Sequence, residues 1–200
     1  MNRQFILLSV FAGLLIGFGG LVYLNVGGVY GAILFAFGLL SVVMCRAELY
    51  TGKAGFLPPR QVTRLAAMLL LNVVGCFAAA CVAIYSHKES LFDTLYAIMQ
   101  ARHAASWHEL LITSAGTGMI MTIAVYGARQ KHYLPLLFGV PVFILCGLPH
   151  CVADAFYYAV AVLRGSGHGW MVGAWALAVV GNYVGCNLPR LFRGLDDNVR

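Results

Sequence analysis

The chain has 200 residues, 61% of them hydrophobic and only 10% charged, which no soluble domain of this length could solvate, so an integral membrane protein is indicated. The net charge of +6 comes without a basic run, the charges standing singly at segment ends, so no nucleic-acid partner is expected. Six cysteines lie scattered in apolar segments without a CxxC pair or a companion histidine spacing, which argues against a disulfide framework, a metal site or a cofactor.

In chain order, apolar spans run 5–24, 29–45, 65–85, 110–128, 133–153 and 169–189. Each approaches or exceeds the roughly 20 residues that cross a bilayer as helix. Helix is required because backbone in lipid must hydrogen-bond internally and no strand-like alternation is present. The first span, Phe5 to Leu24, is uncharged and followed by no clear small-residue cleavage site, so it reads as a retained span. The second is interrupted by "CRAELYTGK" (45–53), and the third holds "LLNVVGC" (70–76). A loop of about 86–106 contains an amphipathic piece, "ESLFDTLYAIMQ". The fifth span is interrupted by "CGLPHCVAD" (146–154), and the sixth holds "VGNYVGC" (180–186).

These echoes divide one domain, 1–200, into halves of about 1–86 and 104–193. Three spans per half make the second half inverted, and a broken helix in each is a transporter and channel signature. Basic residues orient the bundle. Of 13 in all, Arg3, Lys53, Arg60, Arg64, Arg129, Lys131, Arg190, Arg193 and Arg200 fall on one side. Lys88, Arg102 and Arg164 fall on the other, with Arg46 inside the membrane. The positive-inside rule then puts both termini in the cytoplasm of a cell-membrane protein.

The chemistry concentrates at the interruptions. His150 stands in the break of span five near the midplane, where desolvation disfavours imidazolium and leaves a neutral ring. A lone membrane histidine is more often a satisfied interhelical hydrogen-bonder, but a break on either side and Thr51 in the other break favour function. Asn72 and Asn182, beside glycines, read as packing residues that satisfy broken-helix backbone. Arg46, Glu48 and Asp154 are charges at membrane depth and costly unless paired, so Arg46 is expected to pair with Glu48 or Asp154. Tyr157 and Tyr158 suit interfacial anchors. A haem or quinone protein would need two deep histidines. His87, His103, His108, His132 and His168 all lie at span ends or in loops. An intramembrane hydrolase would need a nucleophile motif that is absent.

"FAFGLLSVVMCRAELYTGK", "PVFILCGLPHCVADAFYYAV" and the two asparagine-glycine segments resemble helices two, five, three and six of formate/nitrite transporters. "SVFAGLLIGFGGLV" fits helix one, so the resemblance covers nearly the whole chain. It implies an all-α, aquaporin-like bundle of six transmembrane helices, an inverted repeat with helices two and five broken. It also implies a homopentamer in membrane lipid that is not an enzyme. Each protomer would hold a pore passing small monovalent anions or their acids, with a central histidine as proton donor.

On that resemblance Phe35 and Leu39 match constriction positions on helix two, and Phe143 one on helix five. Spacing alone would make all three core packing. Tyr50 stands where phenylalanine is usual, Thr51 matches the histidine's hydrogen-bond partner, and His150 matches the histidine. Lys53 and Arg102 would draw anions to the two mouths, Arg102 lying near a lysine the family keeps in its outer vestibule. The chain departs from the pattern at Pro149 (usually glutamate), Asp154 (usually asparagine), Arg46 (usually small) and Gly118 (usually asparagine). A closed-pore, non-conducting member is the rival reading.

Overall fold

Apolar runs without water to bond their backbone must fold as helices, and they do so throughout. The computed structural model describes residues 2–86 and 89–191. Nine α-helices and no strand occur among them. They are α1 (Arg3–Val26), α2 (Gly28–Met44), the single turn α3 (Tyr50–Lys53), α4 (Val62–Tyr85), α5 (Glu89–Ala104), α6 (Trp107–Arg129), α7 (Leu134–Leu145), α8 (Cys151–Leu163) and α9 (Trp170–Asn187). Four helical stretches are long and apolar enough to cross a membrane: Arg3–Val26, Pro59–Tyr85, Trp107–Arg129 and Trp170–Leu191. The apolar helices α2, α7 and α8 are shorter. His87 and three residues of the charge-orientation argument, Lys88, Arg193 and Arg200, lie outside the described residues.

Packing follows the small residues. α1 lies against α2 and α4, α6 against α7 and α9, while α2 meets α7 and α4 meets α8. Side chains are excluded where α1 crosses α4: a Cβ at Gly75 would collide with the Val10 carbonyl, and one at Gly13 with that of Asn72. The α6–α9 crossing is built alike, with Gly185 against the Ala115 carbonyl and Gly118 against that of Asn182. Position 118 therefore has no room for the side chain usual there. Close backbone approach through small residues is how helices associate without a hydrophobic driving force. Outward-facing residues such as Leu7, Ile33, Phe37, Leu70 and Phe138 are exposed and apolar.

α2 and α7 end in the same way. At the end of α2, Ala47 N–H bonds Val42 C=O at 2.9 Å and Arg46 N–H bonds Val43 C=O at 3.1 Å. After α7, Leu148 N–H bonds Phe143 C=O at 2.9 Å and Gly147 N–H bonds Ile144 C=O at 3.0 Å. Both are Schellman closures, which need a left-handed residue just past the helix. Gly147 (φ 66°) takes that place after α7, but Arg46 (φ 52°) takes it after α2. The fifth apolar run is divided at 146–150, and it continues to Leu163 rather than stopping at 153. Asp154, one residue past the expected end of the fifth span, lies inside α8, where Arg102 pairs with it at 3.4 Å.

Candidate functional site

The site grows from the two non-helical segments that precede α3 and α8. Each exposes backbone groups that one buried asparagine satisfies. Asn72 Oδ1 accepts from Tyr50 N–H at 2.9 Å, and its Nδ2 donates to the Glu48 and Ser9 carbonyls at 2.9 and 2.7 Å. Asn182 Oδ1 accepts from Cys151 N–H at 2.8 Å, and its Nδ2 donates to the Pro149 and Ser114 carbonyls at 3.0 and 2.8 Å. Two thiols cross between the segments: Cys76 donates to Val152 C=O at 3.2 Å, and Cys186 to Thr51 C=O at 3.5 Å.

His150 is the residue these supports position. It is 2% exposed and serves as N-cap of α8, its Nδ1 accepting from Ala153 N–H at 3.1 Å. Nε2 lies 2.9 Å from Thr51 Oγ1. An Nδ1 that accepts a hydrogen bond carries no proton, so a neutral ring holds its proton on Nε2 and donates it to Thr51. Phe143 stacks on the imidazole at 5.4 Å and 23°, and Phe35 meets Phe143 edge-on at 6.2 Å.

Two cavities approach this cluster. The first, about 460 Å³, is lined by Leu39, Arg46, Lys53, Val125 and Arg129 among others. The second, about 290 Å³, is lined by Tyr23, Arg102, Phe143, His150, Asp154 and Tyr157 among others. Gly52 lines the first, so the Thr51–His150 bond joins a neighbour of one cavity's wall to the wall of the other.

The charges pair differently from the sequence expectation. Arg46 bonds neither Glu48 nor Asp154: its left-handed position carries it into the first cavity, whereas Asp154 lines the second. Glu48 pairs instead with Lys53 at 3.3 Å and Arg64 at 3.6 Å. Asp154 pairs with Arg102 at 3.4 Å, and the Arg102 guanidinium also donates to Gly147 C=O at 2.7 Å. Arg102 thus clamps α5 to both sides of the α7–α8 interruption. Tyr50 lines neither cavity; its hydroxyl donates to Val179 C=O on α9 at 3.2 Å. Tyr157 and Tyr158 are buried, so interfacial anchoring does not describe them. The first cavity's Arg129 and the two crossing thiols escaped sequence reasoning. For the thiols the signal was present, since both end the echoed segments at Cys76 and Cys186.

The chain is thus an all-helical bundle with paired asparagine-braced interruptions and a buried histidine in the wall of a cavity. Residues 1–189 match the formate/nitrite transporter family model, and the chain belongs to that family. It is 27% identical over 183 residues to the "uncharacterized transporter YrhG" of Bacillus subtilis (strain 168), covering 80% of this chain and 68% of that protein. Its fold resembles a "pentameric formate channel with formate bound", with a TM-score of 0.77, 17% identity and 92% of each chain covered. It also resembles an "FNT family ion channel" at a TM-score of 0.79 and 19% identity, covering 92% of this chain and 86% of that one. The protein is accordingly a multi-pass membrane protein, and its family and neighbours are transporters and channels rather than enzymes.

Proposed function

We propose that each protomer passes small monovalent anions of the formate/nitrite class, or their conjugate acids, between the two cavities past His150, which acts as proton donor. The observation carrying this reading is the Thr51–His150 bond, with His150 in the wall of the second cavity and Gly52, next to Thr51, in the wall of the first. An unpaired anion in hydrocarbon faces a Born cost of order 20 kcal/mol before relaxation. Phe35, Leu39 and Phe143 alone offer it nothing, whereas protonation removes most of that cost. The Nε2 proton passes to the Thr51 hydroxyl, whose own proton goes to the anion, and water of an adjoining cavity returns a proton to Nε2 and leaves as hydroxide, while Nδ1 keeps its bond from the Ala153 N–H. The imidazole is then neutral before and after.

The same reading takes the bundle as six crossings in two inverted halves, with α2–α3 and α7–α8 as the broken ones. The matched bonds of Asn72 and Asn182 support it. It further takes the assembly as a homopentamer in the cell membrane with both termini cytoplasmic, in line with the assembly named for the formate channel neighbour.

Formate and nitrite uptake into proteoliposomes tests the reading. Wild type should take up either solute faster than protein-free vesicles. His150→Asn, which preserves an N-cap acceptor, should lower uptake by about 100-fold, the scale of general acid–base effects. Uptake no faster than through lipid alone would leave the closed-pore reading standing.

A further inference from the structure

The two cavities differ in charge. Arg46, Lys53 and Arg129 line the first, and Glu48, which partners Lys53 at 3.3 Å and Arg64 at 3.6 Å, offsets only part of that positive charge. Arg129 is fixed there over the Phe56 ring, 3.7 Å from its centroid. The second cavity holds one cation, Arg102, and Asp154 cancels it at 3.4 Å. The side chains of that pair are 11% and 2% exposed, so mobile ions screen it little. With a neutral His150, the second lining bears no net charge.

Arg46 sharpens the contrast. It occupies a left-handed closure (φ 52°) where the corresponding residue after α7 is Gly147 (φ 66°). Such a position favours glycine, and a side chain retained against that preference points to a role for the side chain. Here the guanidinium lines the first cavity and has no ion-pair partner among the described residues.

We propose that Arg46 and Asp154 make the route electrostatically one-sided: anions saturate the Arg46 mouth at lower concentration than the Asp154 mouth. The inference rests on the transport reading above. A potential of one kT multiplies local anion concentration about 2.7-fold, and charged clefts reach several kT. Detailed balance makes the maximal rates from the two sides fall in the same ratio as the half-saturation constants. Half-saturation is therefore the readout.

Labelled formate flux in oriented vesicles tests this. Asn2 and Phe5 share a surface recess with Arg64, whose partner Glu48 also holds Lys53, so the N-terminus lies on the Arg46 side. Vesicles captured through an N-terminal tag present that mouth outward. At about 10 mM ionic strength, where screening reaches about 30 Å, influx should half-saturate at about threefold lower formate than efflux. The difference should vanish at about 1 M salt, where screening falls to about 3 Å. Arg46→Gly, which suits the left-handed closure, should raise the influx constant toward the efflux value. Asp154→Asn, freeing the Arg102 charge, should lower the efflux constant toward the influx value. Saturable flux with equal constants from both sides in wild type, or Arg46→Gly retaining the full difference, would overturn the inference alone. No flux above protein-free vesicles would overturn the transport reading itself.

Discussion

Asn72 satisfies three backbone groups with one amide, and Asn182 does the same on the other side of the site. Replacing either by alanine takes the partner from one N–H and one carbonyl of an interruption (Tyr50 and Glu48, or Cys151 and Pro149), while the Ser9 and Ser114 carbonyls lie within helices and keep their own ladders; each group left buried without a partner costs about 1–3 kcal/mol. Asn72→Ala and Asn182→Ala should each destabilise the protein by about 2–4 kcal/mol, read as a lowered melting temperature in detergent. A loss of flux without loss of stability would contradict the structural assignment. The asparagines are legible in sequence because each sits beside a glycine in an echoed segment and must answer to a nearby interruption. The partner of Asp154 is not legible. Arg102 lies in the stretch 86–106 that reads as a loop in sequence, and only the packing of α5 brings it to within 3.4 Å of the carboxylate. Shared membrane depth makes Arg46 the expected partner in sequence, yet the left-handed turn after α2 sends its side chain to the other cavity.

At the scale of elements, the bundle depends on α1 touching α4 and α6 touching α9 at backbone distance. Gly75→Leu should therefore abolish a monodisperse peak in size-exclusion chromatography, since a Cβ alone meets the Val10 carbonyl. The cost is about 3 kcal/mol or more, the upper range for overpacking. A folded Gly75→Leu protein would mean that the crossing can part without loss. The four long apolar helices are readable from apolar runs, because in lipid the backbone has few alternatives to helix. The extent of the fifth run was not, since a charge marks a segment end only when unpaired. Asp154 in the first turn of α8 has a cation beside it and a helix N-terminus beneath it, and the helix runs on.

For the whole molecule, the exterior is rich in exposed apolar side chains, among them Phe37, Leu70 and Phe138. Lipid or neighbouring protomers must cover them. Native mass spectrometry in mild detergent should find five copies per particle, and a monomer or trimer would contradict the assembly proposed above. The family is legible from the paired interruptions. The charge distribution is not, because it emerges only when side chains from α3, α5, α6 and α8 converge on cavities that no single segment contains.

The crossing thiols have a mechanical consequence. Cys76, on α4, grips the Val152 carbonyl at the start of α8, while Cys186, on α9, grips the Thr51 carbonyl in α3. Each short segment is therefore joined by a thiol hydrogen bond to a helix from the opposite part of the bundle. Movement of either segment costs a weak thiol hydrogen bond to the far side of the bundle, which couples the two interruptions as parts of one jointed collar.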